Sequence, residues 1–329
     1  MTTASPPVQR PVAVYTDIVD TDPQPGVTLL EQGGFEVRIA RSADHDVIAS
    51  LAEDADALLV GYSPVDRALL QRLPRVRIIA TQSVGVDMVD VLAATAHGAW
   101  VANVPGAATE EVATHALAMT LSMLRGLPFL DRAVRAGRWD GNDEVLRRPC
   151  DVTVGIIGLG RIGTRFAELV RPMVRRVVGF DPFLLPPATT EVLNLDGLLA
   201  VSDVLSLHVP LSQDTAHLLN RERLRRLPAG AFVVNASRAG LVDHEALREL
   251  LDSGHLAGAA LDVLPQEPPR PDDPLVAHPR TLLTPHAAYL SDQAARNYVL
   301  QQAENVVRWR RDGVPASAVN VPSRHSSAC

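Results

Sequence analysis

The chain has 329 residues, 47% of them hydrophobic and 21% charged, with a formal net charge of −7. That length exceeds the usual reach of one hydrophobic core and favours two domains, and the negative charge argues against a nucleic-acid or anionic-membrane partner. All 31 basic residues are arginine, which excludes Schiff-base and pyridoxal phosphate chemistry, Walker-type loops and dehydrogenases built on a catalytic lysine.

In chain order, the leading "MTTASPPVQRP" is polar and proline-rich, unlike a basic-then-apolar signal peptide. Strand patterns follow at "VAVYTDI" (12–18), "FEVRIA" (35–40), "ALLVGY" (57–62), "VRIIATQS" (76–83) and "AWVANV" (99–104), with a helix such as "PVDRALLQRL" between them. A long amphipathic helix is expected over 109–127, with Glu110 and Glu111 in its first turn and Gly126-Leu127-Pro128 at its end. A second alternating series opens at "VTVGIIG" (152–158) and continues through "RVVGFD" (176–181), "DVLSLHV" (203–209), "AFVVNAS" (231–237), "GAALDVL" (258–264) and "TLLTPH" (281–286). The last helix spans 291–313, and a polar Pro/Ser-rich tail follows.

Strands alternating with helices predict an α/β protein with doubly wound parallel sheets. Two such series, and a final helix long enough to pack back on the first, suggest one domain inserted in another: 1–103 plus 292–329, interrupted by 104–291. No apolar run approaches the roughly 18 residues of a membrane span. Two cysteines, Cys150 and Cys329, offer neither a disulfide framework nor a CxxC metal site. No metal and no membrane contact are expected, and a cytoplasmic location is.

The stretch "VGIIGLGRIG" (154–163) carries Gly158-x-Gly160-x-x-Gly163 between an apolar strand and a helical pattern. Gly158 permits the turn, Gly160 lets backbone approach a pyrophosphate, and Gly163 lets helix and strand pack closely. The helix start, at Arg161 and Ile162, then faces the phosphates with free N–H groups. Asp181 lies 18 residues after Gly163, where a carboxylate grips a ribose 2′-hydroxyl and repels a 2′-phosphate; this favours NAD over NADP. The plainer alternative is a structural turn and a solvated aspartate.

Three further residues follow predicted strands: Arg238 in "VNASRAGLVD", Glu267 in "ALDVLPQEPP" and His286 in "LLTPHAAYLS". Singly, each reads as a surface ion pair, a solvated turn or a packing residue. Together, beside a nicotinamide, they are the parts that 2-oxo acid reduction requires. Hydride transfer to a ketone needs a proton donor, a task suited to His286. Glu267 would stabilise the imidazolium, and Arg238 can fork onto a carboxylate and polarise the adjacent carbonyl.

These stretches, with "SVGVDMVDV", "NVPGAATEEVATHALAMTLSMLR" and "SDVLSLHVPLSQDTAHLLN", resemble the D-2-hydroxyacid dehydrogenase family over residues 12 to about 320, and look closest to the branch similar to C-terminal-binding proteins. The resemblance implies a substrate-binding (catalytic) domain in 1–103 plus 292–329 and an inserted NAD-binding domain in 104–291. It assigns Arg238 to the substrate carboxylate and carbonyl, and Glu267 with His286 to acid–base work. The amides of Val84 and Gly85 would meet the substrate carboxylate, and Asp262 the nicotinamide carboxamide. His208, Val209, Pro210, Thr215, Ala236 and Ser237 would line the cofactor. Glu267 stands where the related formate dehydrogenases carry glutamine. Thr114 and "RRPCD" depart from the family pattern, and Tyr289 occupies a position where the closest branch often has tryptophan; a phenol there could reach the far end of the substrate. The family is usually dimeric through the long helix near 109–125, so a homodimer is expected.

The leading function is therefore NAD-dependent interconversion of a 2-oxo acid and its D-2-hydroxy acid. The alternatives are an NADH-sensing, corepressor-like interaction protein and a dehydrogenase of an unusual donor such as phosphite.

Overall fold

The structure is a computed structural model and describes residues 10–18, 21–139, 141, 146–183 and 189–323. It divides the chain into two compact units, Met1–Ala108 with Ser291–Cys329, and Thr109–Leu290.

In the first unit, strands β1 (Val12–Tyr15), β2 (Glu36–Ile39), β3 (Ala57–Val60), β4 (Ile78–Thr81) and β5 (Trp100–Ala102) alternate with α1 (Gln24–Gln32), α2 (His45–Leu51), α3 (Arg67–Gln71) and α4 (Val91–His97). All neighbouring strands are parallel, in the order β2-β1-β3-β4-β5. The central strands are short apolar runs with every residue buried, as a sheet covered on both faces requires. Aspartates start three of the helices: Asp44, Asp66 and Asp90 accept from the N–H groups of Asp46, Leu69 and Ala93. The predicted strand 57–62 stops at Val60 because the N–H groups of Gly61, Tyr62 and Ser63 turn onto the Asp17 carboxylate.

The second unit opens with α5 (Thr109–Leu124). The helix ends near its predicted stop, where Gly126 is left-handed (φ 60°), and a separate helix, α6 (Leu127–Arg135), follows with Pro128 in its first turn. Then come β6 (Thr153–Ile157), α7 (Arg161–Val170), β7 (Arg176–Phe180), β8 (Glu191–Val192), α8 (Leu195–Val201), β9 (Val204–Leu207), α9 (Arg221–Arg225), β10 (Ala231–Asn235), α10 (His244–Asp252), β11 (Leu256–Leu261) and β12 (Thr281–Leu283). These strands form one parallel sheet, β12-β11-β10-β9-β6-β7-β8. Chain order reverses beside β6, between β7 on one side and β9 on the other. Such a switch point is where open α/β sheets bind ligands.

The long helix α11 (Asp292–Asp312) belongs to the first unit. Ser291 caps it, and Gly313 ends it at φ 78°. Its fully buried Gln302 donates from Nε2 to the carbonyls of Val60 and Ala80, which ties the helix to β3 and β4.

Candidate active site

One row of paired residues sets the second unit's chemistry. Ile157 pairs with Phe180 and with Leu207, Leu207 with Asn235, Asn235 with Leu261, and Leu261 with Leu283. Six strands thus end in register. The first residue beyond the row is, respectively, Gly158, Asp181, His208, Ala236, Asp262 or Thr284. Arg238 and His286 follow two residues further along their own loops, and Glu267 lies on the loop after β11.

The glycine loop is built by close contacts on two sides and openness on the third. Gly158 is left-handed (φ 92°), and a Cβ there would lie 2.5 Å from the His208 carbonyl oxygen. At Gly163 a Cβ would sit 1.9 Å from the carbonyl oxygen of Gly158. Neither position admits a side chain. Around Gly160, by contrast, a Cβ would meet nothing within 4 Å, so none of the described residues demands glycine there. A ligand approaching the exposed backbone would. Gly160 caps α7 without a side chain, which leaves the first N–H groups of the helix, at Arg161 and Ile162, for an anion. A dinucleotide pyrophosphate fits this donor set.

Asp181 is part of the same loop. Its Oδ2 accepts from the N–H of Leu159 and its Oδ1 from the N–H of Phe183, both at 2.9 Å. Each oxygen keeps a further lone pair for a ribose hydroxyl. Across the switch point, His208 donates its backbone N–H to the Ile157 carbonyl at 2.7 Å. Burial pushes the His208 imidazole down to a pKa of about 3, so the ring is neutral; it rests 2.9 Å from the Ser206 hydroxyl. Val209 and Pro210 continue that loop. Thr215 holds its turn, donating to the Pro210 carbonyl at 2.7 Å and accepting from Ser212 N–H.

Beyond β10, Ala236 is followed by Ser237, whose hydroxyl donates to the Leu207 carbonyl at 2.8 Å and so joins adjacent strand ends. The fully buried Asn235 accepts from Ser237 N–H and donates to the Arg238 carbonyl. This fixes the backbone on which Arg238 stands. Arg238 Nη1 in turn donates to the Ser237 carbonyl at 2.8 Å.

His286 and Glu267 are brought together: Nδ1 lies 2.7 Å from Oε2. The second glutamate oxygen accepts from Leu264 N–H at 3.0 Å. With Nδ1–H given to a carboxylate, Nε2 is the nitrogen left to hand over or take up a proton. The His286 backbone is left-handed (φ 51°), a conformation that costs a non-glycine residue about 1 kcal/mol or more. It is held by the histidine's N–H, which donates to the Asp262 carbonyl at 2.8 Å. Tyr289 stands edge-on to the imidazole, its ring centroid 6.3 Å away. Asp262 is buried, its carboxylate accepting from Ala287 N–H, Ala288 N–H and the Thr284 hydroxyl.

Val84 and Gly85 lie in the first unit, after β4. The carbonyls of Ser83, Val84 and Gly85 accept from Val104 N–H, Asn103 Nδ2 and Ser83 Oγ respectively. Among the described residues, the N–H groups of Val84 and Gly85 have no such partner, which leaves them free to meet an anion.

Sequence patterns passed over Thr164, whose hydroxyl donates to Leu159 O and pins the glycine loop, and Asn235. The latter had a signal, a polar residue closing the buried run "AFVVN". No cluster able to hold a metal ion occurs among the described residues.

The chain is similar to several known proteins. Residues 117–288 match the family model described as the NAD-binding domain of D-isomer specific 2-hydroxyacid dehydrogenases. A glyoxylate reductase of Korarchaeum cryptofilum is 36% identical over 310 residues, 91% of this chain and 93% of that protein. A D-3-phosphoglycerate dehydrogenase of Archaeoglobus fulgidus is 34% identical over 303 residues, 90% of this chain but only 57% of that longer protein. Among solved structures, a D-lactate dehydrogenase of Aquifex aeolicus, complexed with NAD and lactic acid, superposes with a TM-score of 0.82 at 26% identity, over 94% of this chain and 100% of that one.

Proposed function

The chain belongs to the D-isomer specific 2-hydroxyacid dehydrogenase family, and on that premise we propose that it interconverts a 2-oxo acid and its D-2-hydroxy acid through Arg238, Glu267 and His286, with NAD as its cofactor. The observation that carries the reading is the 2.7 Å pair between His286 Nδ1 and Glu267 Oε2, standing past the same strand row as the glycine loop.

When bound in that loop, NADH supplies the hydride that arrives at C2 of the oxo acid. The chain's own groups do the rest. Arg238 forks onto the substrate carboxylate and the carbonyl oxygen, drawing electron density from C2. In the first unit, the Val84 and Gly85 amides are donors of the kind a carboxylate needs. His286 carries a proton on Nε2 and releases it to the forming alkoxide, while Glu267 holds the ring orientation through Nδ1. In the oxidative direction the neutral Nε2 takes the proton back. Asp181 accepts from the ribose hydroxyls and disfavours a 2′-phosphate. Asp262 serves the nicotinamide carboxamide, and His208 to Pro210, Thr215, Ala236 and Ser237 line the cofactor. Tyr289 borders the far end of the substrate.

The domain reading goes with this: 104–291 binds NAD, supported by the family match within it, and 1–103 plus 292–329 binds substrate. A homodimer is supported by apolar side chains left open on and after α6, with Leu127 57%, Val134 49% and Trp139 89% exposed; light scattering at a protomer mass of 35.4 kDa checks it. Among the described residues no helix is long and apolar enough to cross a membrane; a cytoplasmic location belongs to the proposal.

The test is NADH oxidation by the purified protein with glyoxylate, hydroxypyruvate and pyruvate. Turnover with at least one is expected. Tight NADH binding with no turnover across the panel overturns the enzyme reading in favour of a cofactor sensor.

A further inference from the structure

Resting on that acid–base reading of His286, we infer that His115 and Thr284, neither of which is assigned to substrate or cofactor above, are positioning residues that hold the histidine in its working place through Asp262.

The argument follows a chain of protons. The Asp262 carboxylate is 1% exposed and can only accept, so the Thr284 hydroxyl beside Oδ1 donates its single proton there. With that proton spent, Thr284 Oγ1 must accept from His115 Nε2, 3.0 Å away on α5. His115 is therefore an Nε2–H donor, and Nε2 is also 3.7 Å from Asp262 Oδ1. The carboxylate is gripped on one side by this relay and on the other by Ala287 N–H at 2.8 Å and Ala288 N–H at 2.9 Å.

Those two amides immediately follow His286, whose own N–H is held by the Asp262 carbonyl at 2.8 Å. The histidine thus lies inside a loop fastened before and after it to a single residue. That fastening is what sustains a left-handed backbone (φ 51°) at a position where a relaxed loop would return to negative φ. Loss of the relay frees the Asp262 rotamer, then the 287–288 amides, then the aim of Nε2. Supports one shell removed from a reacting group commonly change activity roughly ten- to a hundredfold, and small misplacements of a catalytic group have comparable cost.

The experiment measures kcat at saturating NADH and oxo acid, NADH affinity by fluorescence, and the unfolding midpoint for Thr284→Val, Thr284→Ser, His115→Ala, His115→Gln and His286→Ala. Thr284→Val keeps shape and loses the hydroxyl, whereas Thr284→Ser and His115→Gln keep the polar groups. The expected result is a roughly ten- to hundredfold loss of kcat in Thr284→Val and His115→Ala, a much smaller loss of NADH affinity through the carboxamide contact of Asp262, and recovery of most of kcat in the two conservative variants. Wild-type kcat in Thr284→Val or His115→Ala, beside an inactive His286→Ala, overturns the positioning role alone. A loss that appears equally in kcat, NADH affinity and unfolding midpoint, with no recovery by serine or glutamine, also overturns it. Retained turnover in His286→Ala overturns the acid–base reading itself.

Discussion

Asp17 of the first unit and Asp262 of the second occupy corresponding places, just past the second strand from one edge of a parallel sheet, and both are buried, at 8% and 2% exposure. Each gathers a neighbouring loop. Asp17 accepts from the hydroxyl of Thr16 and the N–H groups of Gly61, Tyr62 and Ser63. Asp262 accepts from the hydroxyl of Thr284 and the N–H groups of Ala287 and Ala288. The clamp is nearly the same, and the difference lies in what the clamped loop carries: Gly61 to Ser63 in one case, His286 in the other. A buried carboxylate at a strand end is thus a loop-fastening device, and function resides in the residue it fastens.

The comparison breaks most visibly if both carboxylates are removed in turn. Asp17→Ala and Asp262→Ala each strand buried donors, at about 1–3 kcal/mol per unsatisfied group, so urea unfolding should show a clear loss of stability in both. Turnover per folded molecule should fall only in Asp262→Ala, by roughly a hundredfold or more, combining displaced His286 with a lost cofactor contact. Equal turnover in the two variants would remove the distinction.

A smaller effect sharpens the chemical side. Glu267→Gln keeps the contact to His286 but removes the negative charge, so kcat for oxo acid reduction should drop about tenfold. A kcat equal to the parent's counts against the pair. Asp181→Ser should reduce the NAD over NADP preference in kcat/KM by roughly tenfold; an unchanged ratio would separate Asp181 from the ribose.

The smallest expected effect concerns Asp17 and acid. Burial pushes its pKa up, but hydrogen bonds from the Thr16 hydroxyl, Tyr62 N–H, Ser63 and Gly61 N–H outweigh it, and the net pKa lies below the ordinary carboxylate value. A depressed folded-state pKa contributes stability that is complete above the unfolded value of about 4 and is lost as pH falls through the folded one. The stability advantage of the parent over Asp17→Asn should therefore hold near neutrality and shrink below about pH 4. A constant gap across that range would contradict the assignment.

Much of this was legible in the residues. Fully buried parallel strands announce themselves as short apolar runs; the glycine spacing, Asp181, Arg238 and His286 stand at or just past strand ends that alternation alone locates, and Glu267 stands on the loop after one of them. Less accessible were features that leave no period. β8 is a two-residue exposed edge, and α6 begins where Gly126 and Pro128 signal only a stop. His115 looks like any polar residue on a helix, because its partners, Thr284 and Asp262, are far away along the chain. The exchange of protons that gives it a role exists only after folding.

The central claim is that His286 delivers the proton. Its most direct test is the single-turnover rate of NADH oxidation by His286→Ala, with the oxo acid that the parent reduces fastest and with NADH affinity measured alongside. The account predicts a fall of roughly a hundred- to ten-thousandfold at unchanged NADH affinity; a rate equal to the parent's would contradict it.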